Sequence, residues 1–298
     1  MRSFVFRPGM VSAQAFICLL FFFVTAGAQA SSLRLQLKLG LGGGRLNLDE
    51  ISQVIRDGEA QAASWAVGGT MVEGSGIPEP GPVCDAHAEL LAFFSSRWAI
   101  GVEVGMSGNT KQGQVGWTGA APLSVRHAVE ARYTVVPIRL SARYFLGRSG
   151  RVRAYAQAGA GLYPGRIYLQ QRTLERSLIP DRFTLFSAQA RGTCLGLHGG
   201  VGLTIPLTRR LGLFVDVIGQ FARIASMKGE GVVKDADMTD GSLIEGFFWT
   251  VTAAGGEWAG KKLLIAAEPP ADAAGIEAEK LHMNLSGWSM RAGIIIRL

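Results

Sequence analysis

The chain contains 298 residues, of which 48% are hydrophobic, 18% are charged and 40 are glycine, and its formal net charge is +7. Beyond the N-terminus, no apolar run approaches the roughly 18 residues that a membrane-spanning helix requires, so composition excludes a helical membrane protein. The modest basic excess does not require a nucleic-acid partner.

The N-terminal segment has the layout of a secretory signal peptide. Arg2 and Arg7 precede an apolar run at 16–24, and Ala28 and Ala30 supply the small side chains that a signal peptidase needs. We therefore predict that residues 1–30 are removed. An uncleaved inner-membrane anchor is the alternative, but this run is much shorter than the roughly 20 residues of a spanning helix.

Residues 31–298 are predicted to form one all-β domain. Leucines at 33, 35, 37, 39 and 41 alternate with polar residues or glycine, which is the period of a β-strand. The same alternation recurs along the chain and predicts eight strands. They lie near 33–45, 84–94, 97–107, 132–147, 151–168, 194–207, 210–225 and 284–298.

The connections between these strands alternate in length. The joins at 95–97, 148–150 and 208–210 are tight turns, whereas the other four joins are long. Short turns at one end and long loops at the other are typical of barrels in the bacterial outer membrane, where the short turns are periplasmic. A sheet that spans a bilayer must also close, because every backbone polar group needs a partner within the protein.

The last predicted strand carries an uninterrupted apolar face. Trp288 begins it, and the residues that continue it to the end are Met290, Ala292, Ile294, Ile296 and Leu298. This strand resembles the final strand of the small bacterial outer-membrane β-barrel family, although it ends with leucine instead of the usual aromatic residue. The resemblance implies that these five residues are an assembly signal read by the barrel-assembly machinery.

The resemblance also implies a fold and a location. The expected fold is a closed, antiparallel, up-and-down transmembrane β-barrel of about eight strands with long extracellular loops. The expected location is the bacterial outer membrane, in contact with its lipid and with both termini in the periplasm.

A barrel of this size is just wide enough for side chains to fill, so we predict a plugged lumen. By the strand register, nine charged residues face inward: Arg34, Lys38, Glu103, Arg139, Arg143, Arg153, Asp216, Arg291 and Arg297. The favoured interpretation is a structural network in which Glu103 and Asp216 bridge arginines, over a proton or ion pathway. The surplus arginines either lie in water near a rim or hold an anion such as phosphate.

Two long loops carry additional patterns. The segment 47–83 opens with apolar residues at helical spacing, which predicts a short amphipathic helix, either as a packed cap on the barrel mouth or as a binding surface. In the loop 227–283, the apolar runs 243–251 and 263–267 predict an extra hairpin above the membrane. If that hairpin entered the bilayer, the barrel would have ten strands.

No catalytic, cofactor or metal motif is present. Only His127, near Ser124 and Glu130, belongs to a local set with the chemistry of a hydrolase. Cys84 and Cys194 lie on opposite strands, and their oxidation state is left open.

We therefore expect a structural or surface-binding barrel that acts through its loops. The pattern favours a protein that is not an enzyme, and it does not identify the surface ligand. The alternatives are a lipid-modifying hydrolase or a transporter of small solutes or ions in the outer membrane. A further alternative is a soluble periplasmic barrel that binds an apolar ligand.

Overall fold

A computed structural model describes residues 34–65, 70–73, 82–118, 124–146, 152–176, 182–235, 242–253, 260–270 and 276–298. The predicted signal peptide, with Ala28 and Ala30, lies outside these residues. Within them, no helix is both long and apolar enough to cross a membrane.

One helix and fifteen strands make up the described chain. The helix is α1 (Asp49–Trp65). The strands are β1 (Arg34–Leu46), β2 (Thr70–Glu73), β3 (Val83–Phe93), β4 (Trp98–Thr118), β5 (Ser124–Val135), β6 (Ile138–Leu146), β7 (Arg153–Arg176), β8 (Arg182–Pro206), β9 (Leu211–Ile224), β10 (Lys228–Asp235), β11 (Ser242–Ala253), β12 (Gly260–Ala266), β13 (Ile276–Lys280), β14 (Met283–Asn284) and β15 (Gly287–Arg297).

Eight of these strands close into a ring. Going round it, β1 pairs with β3, β3 with β4, β4 with β6, β6 with β7, β7 with β8, β8 with β9 and β9 with β15. The antiparallel pairing of β15 with β1, from Gln36 opposite Arg297 to Leu46 opposite Gly287, completes the circle. The predicted closed, antiparallel barrel of eight strands is confirmed.

The ring is apolar on its outside. Alternate residues of each strand point outward, and many large apolar side chains there are exposed. Examples are Leu41, Ile100, Met106, Leu140, Leu162, Leu197, Leu203, Val215, Phe221, Trp288 and Ile294. A soluble protein would bury such a contiguous apolar surface, so the outer wall is suited to contact with lipid.

The predicted strand 132–147 is interrupted. Pro137 has no backbone N–H to donate and separates β5 from β6. The wall stays connected because the Val136 amide donates to the Pro164 carbonyl and the Gly105 amide donates to the Pro137 carbonyl, each at 2.9 Å. The break is therefore a local bend within one wall of the barrel.

Most of the predicted long loops are sheet. The strands β4, β7 and β8 continue past the ring, and β5 lies between the continuing parts of β4 and β7. The strands β10, β11 and β12 add to the edge of this extension beside β8. The predicted hairpin is confirmed, since Phe248 of β11 lies opposite Ile265 of β12. It joins the extension outside the ring, so the ten-strand alternative is wrong.

Helix α1 packs against the inner face of this extension. It contacts β5 and β12, and the apolar side chains on its inner face, including Ile51 and Ile55, are buried. Around it lies an apolar core that includes Leu46, Leu48, Val129, Ala131, Tyr133, Ile167, Leu169, Ala190, Phe248, Ile265, Leu281 and Leu285. The helix is thus a packed cap over the mouth of the barrel that lies opposite the short turns.

Polar contacts also attach the cap to the extension. Glu50 accepts a hydrogen bond from the Thr250 hydroxyl at 3.1 Å and another from the His282 backbone amide at 3.0 Å. The His282 ring nitrogen Nδ1 lies 2.8 Å from the same carboxylate. One helical residue therefore joins two separate segments of the extension.

Removing a buried apolar contact of α1 should destabilise the cap and leave the ring intact. We expect Ile55→Ala to lower the local stability of the cap by about 2–4 kcal/mol, because Ile55 is buried and its truncation leaves a cavity. The measurement is the rate of tryptic cleavage at exposed Arg56 in folded, detergent-solubilised protein. Gln53→Ala on the same helix is the control. Equal cleavage rates in both variants would show that Ile55 does not stabilise the cap.

Candidate functional site

A network of buried charged side chains lies in the barrel interior. Six of the nine predicted inward charges are buried and converge there: Lys38, Glu103, Arg139, Arg143, Asp216 and Arg291. The structure adds two carboxylates that the prediction missed, Asp85 and Glu89, both at most 4% exposed. Four cations therefore face four anions, and the network has no net charge.

The half of the network nearer the short turns is centred on Lys38. Its ammonium group donates to Asp216 at 3.0 Å and to the Tyr155 hydroxyl at 3.1 Å, and lies 3.5 Å from Glu89. Tyr155 in turn donates to Asp216 at 2.8 Å, and Arg143 donates to Glu89 at 2.5 Å. These contacts connect five strands of the ring across the lumen: β1, β3, β6, β7 and β9.

The half nearer the cap is centred on Glu103. It accepts from Arg139 at 2.6 Å and from Arg291 at 3.0 and 3.1 Å. Arg291 also donates to Asp85 at 3.0 Å, and Arg139 donates to Gln220 at 2.5 Å. Because each guanidinium has several fixed donors, one arginine can bridge two acceptors on different strands.

Glycine on the inner face provides room for these large side chains. A Cβ atom at Gly202 would lie 2.5 Å from the Tyr155 ring, and one at Gly40 would lie 2.5 Å from the Phe214 ring. Lys38 packs 3.9 Å from the centre of that Phe214 ring. These two inward glycines therefore leave space for large side chains from nearby strands, Tyr155 on the adjacent β7 and Phe214 on β9.

Three of the predicted residues do not join the network. Arg34, Arg153 and Arg297 lie at the end of the barrel that carries the short turns, where Arg153 donates to the Ser96 carbonyl at 2.5 Å and Arg297 donates to the Arg209 carbonyl at 3.3 Å. These three arginines therefore lie at the rim, and among the described residues Glu103 bridges Arg139 and Arg291 as the structural interpretation expects.

The missed carboxylates had a signal in the sequence. Along β3 the outward residues alternate with inward Asp85, His87 and Glu89, as in every other strand of the ring. The strand was predicted, but its inward face was not assigned. Applying the period of two to 84–94 would have identified both carboxylates.

The local histidine set does not form a catalytic arrangement. His127 is buried within β5, with Nδ1 3.0 Å from the Thr173 hydroxyl, whereas Ser124 and Glu130 differ from it by an odd number of positions and face the other side of the strand. Among the described residues, no three His, Cys, Asp or Glu side chains form a metal-binding group. Cys84 and Cys194 are both free thiols.

The residues predicted as an assembly signal share one face of β15. Met290, Ile294 and Leu298 are exposed on the outer wall, and Ala292 and Ile296 share their parity. The intervening Ile295 is buried, at 3% exposure, on the inner side. The face is arranged as expected, and its recognition by assembly machinery stays a prediction.

A closed ring of eight antiparallel strands, apolar outside and charged inside, is the architecture of the outer-membrane β-barrel class. Among solved structures, the crystal structure of the outer membrane protein OprG from Pseudomonas aeruginosa is similar, with a TM-score of 0.40 and 11% sequence identity. The similarity covers 89% of this chain and 95% of that chain. No family model and no curated protein matches the sequence.

Removing one carboxylate from the network should strongly destabilise the barrel. In Glu103→Gln, Arg139 and Arg291 each lose a charged partner inside the lumen, which we expect to cost about 3–5 kcal/mol. Urea unfolding of the detergent-solubilised protein measures this loss. The control is Glu130→Gln, which breaks the exposed pair with Arg132 and should cost less than about 1 kcal/mol; similar losses would refute the network's role.

His127 should make the extension sensitive to acid. Burial lowers the pKa of this histidine from 6.5 to about 4. Between these values the unfolded chain binds the proton and the folded chain does not, so stability falls as pH falls from 6.5 towards 4. Comparing urea midpoints of wild type and His127→Gln from pH 4.5 to 7.5 tests this, since the variant should lack that part of the slope. Parallel pH profiles of the two proteins would show that His127 does not cause the acid sensitivity.

Proposed function

We propose that the protein is exported to the bacterial outer membrane, where its plugged barrel is an anchor that displays the cap and the extended sheet at the cell surface. The observation that carries this proposal is the combination of a charge-balanced network of buried side chains in the lumen with an apolar outer wall. An occluded barrel has no open path for solute, which leaves the surface structure as the part that acts.

The height of the apolar wall supports a membrane location. On β8 the outward apolar side chains run from Leu195 to Ile205, and both ends are exposed. Ten residues of strand at a tilt of 35–45° span about 25 Å, which is the height of the apolar band in outer-membrane barrels. On β15, Trp288 lies at the end of this band nearer the cap, and its aromatic side chain is suited to headgroup depth.

The distribution of turns supports periplasmic termini. Arg34 and Leu298 lie at the same end as the tight turns 94–97 and 207–210, and the Leu298 amide donates to the Leu35 carbonyl at 3.1 Å. Short turns face the periplasm in this class of protein. The cap and the extension then lie outside the cell, and the outward face of β15 is available to assembly machinery during insertion.

The closed interior favours an anchor over a transporter. Gln220 donates to the Leu285 carbonyl at 2.7 Å and so connects the charge network to the apolar core of the cap. A solute would have to displace both layers to pass. The opposite-facing Ser124 and His127 give no support to the hydrolase alternative, and a charged lumen does not suit the alternative of a soluble barrel for apolar ligands.

Two measurements on one preparation test this proposal. Mature protein extracted from outer-membrane fractions should migrate faster on SDS gels before boiling than after it, since a closed barrel resists SDS until it is heated. In planar bilayers it should give no stable conductance steps, with a general porin as the positive control.

The two results separate the alternatives. Recovery in the soluble periplasmic fraction, with no shift on boiling, would overturn the membrane location and favour the ligand-binding barrel. A shift on boiling together with stable conductance would overturn the anchor function and favour the transporter.

A further inference from the structure

Positively charged residues lie side by side on the outer face of the extension. Arg166 of β7 is directly opposite Arg191 of β8, and Arg191 is directly opposite Lys228 of β10. Residues that pair across antiparallel strands point to the same side of the sheet, here the outside. We refer to Arg166, Arg191 and Lys228 as the cationic row.

The cationic row is unusual because like charges opposite each other destabilise a sheet. In the part of the chain that the structure describes, none of the three residues forms an ion pair with a carboxylate. Arg191 and Lys228 are exposed, and Lys228 lies 5.6 Å from the centre of the Phe247 ring. Lys280 lies 4.7 Å from the same ring and adds a fourth cation beside the row.

The row lies just beyond the apolar band. On β8 the contiguous run of outward apolar residues ends at Leu195, and the next residues on that face are Thr193 and then Arg191. Four residues of tilted strand place Arg191 about 10 Å past Leu195. Headgroups occupy roughly the first 5–8 Å beyond the hydrocarbon, and long cationic side chains can reach back into that layer.

The charges are layered by distance from the membrane. The next outward row of the same sheet contains Glu230 opposite Glu245, and Glu230 is also opposite Gln189. These carboxylates lie on the side away from the apolar band. The cations lie nearer the membrane and the anions lie further from it. This arrangement attracts a negatively charged lipid headgroup from the membrane side.

We propose that the cationic row binds the phosphate groups of a phosphorylated glycolipid in the outer leaflet of the outer membrane. This inference rests on the proposed membrane location. Guanidinium groups donate paired hydrogen bonds to phosphate oxygens, and such charge-assisted bonds are stronger than neutral ones. A bound phosphate would offset the repulsion within the row, and the sugar to which it is attached would lie near Phe247.

The sheet contains a matched set of control positions. Six residues further out on the same strands, Arg172 and Lys234 are both opposite Leu185, so they form an outer row with the same residue types on β7 and β10. This outer row is about 20 Å further along the strands. The test variant R166Q/K228Q and the control variant R172Q/K234Q therefore remove equal charge at two heights.

The experiment uses full-length mature protein in a zwitterionic detergent and native mass spectrometry. Bisphosphorylated lipid A, the same lipid after removal of its phosphates, and phosphatidylglycerol are titrated in parallel, with inorganic phosphate as a competitor. We expect bisphosphorylated lipid A to bind best, R166Q/K228Q to bind it about tenfold or more weakly, and R172Q/K234Q to bind as wild type does. Unboiled gels of each variant confirm that the barrel is folded.

Each other result overturns the inference. Equal binding of lipid A with and without phosphates, equal losses in the two variants, or equal binding of phosphatidylglycerol would exclude a phosphorylated glycolipid as the specific occupant. Full competition by millimolar inorganic phosphate would indicate a free-anion site instead. A folded, heat-resistant barrel that fails these tests leaves the proposed function intact, whereas a soluble protein with no shift on boiling removes both.

Discussion

The pairing of β15 with β1 is the constraint on which the rest of the structure depends. In hydrocarbon an unpaired backbone amide or carbonyl costs several kcal/mol, so a spanning sheet is stable only if it has no edge. Once those two strands pair, the outer face of every strand in the ring meets lipid and the inner face meets a narrow lumen. Both the apolar wall and the charge network follow from this closure.

The closed ring inverts the usual placement of polar and apolar residues. The charged side chains in the lumen are buried and need partners inside the protein, and the structure supplies four anions for four cations. Arginine suits this role because Arg291 can contact Glu103 and Asp85 at once. Above this polar layer the cap returns to an ordinary apolar core around α1, since the extension is no longer surrounded by lipid.

Above the apolar wall, the sheet changes partners while its strands continue. Along β8, the half near the short turns pairs with β9 in the ring and the outer half pairs with β10 in the extension. This exchange places Arg191 beside Lys228, and so creates the cationic row just beyond the apolar band. One continuous strand thus contributes to the membrane anchor and to the surface proposed to bind lipid.

The sequence by itself determined the number of ring strands, their inner and outer faces, the helix of the cap and the β11–β12 hairpin. These depend on the alternation of neighbouring residues and on turn composition, which are local properties. Only the tertiary structure decided that Asp85 and Glu89 balance the lumen, that Arg34, Arg153 and Arg297 stay at the rim, and that Arg166, Arg191 and Lys228 align. Those outcomes depend on which strands become neighbours and in what register, and residues far apart in the chain set both.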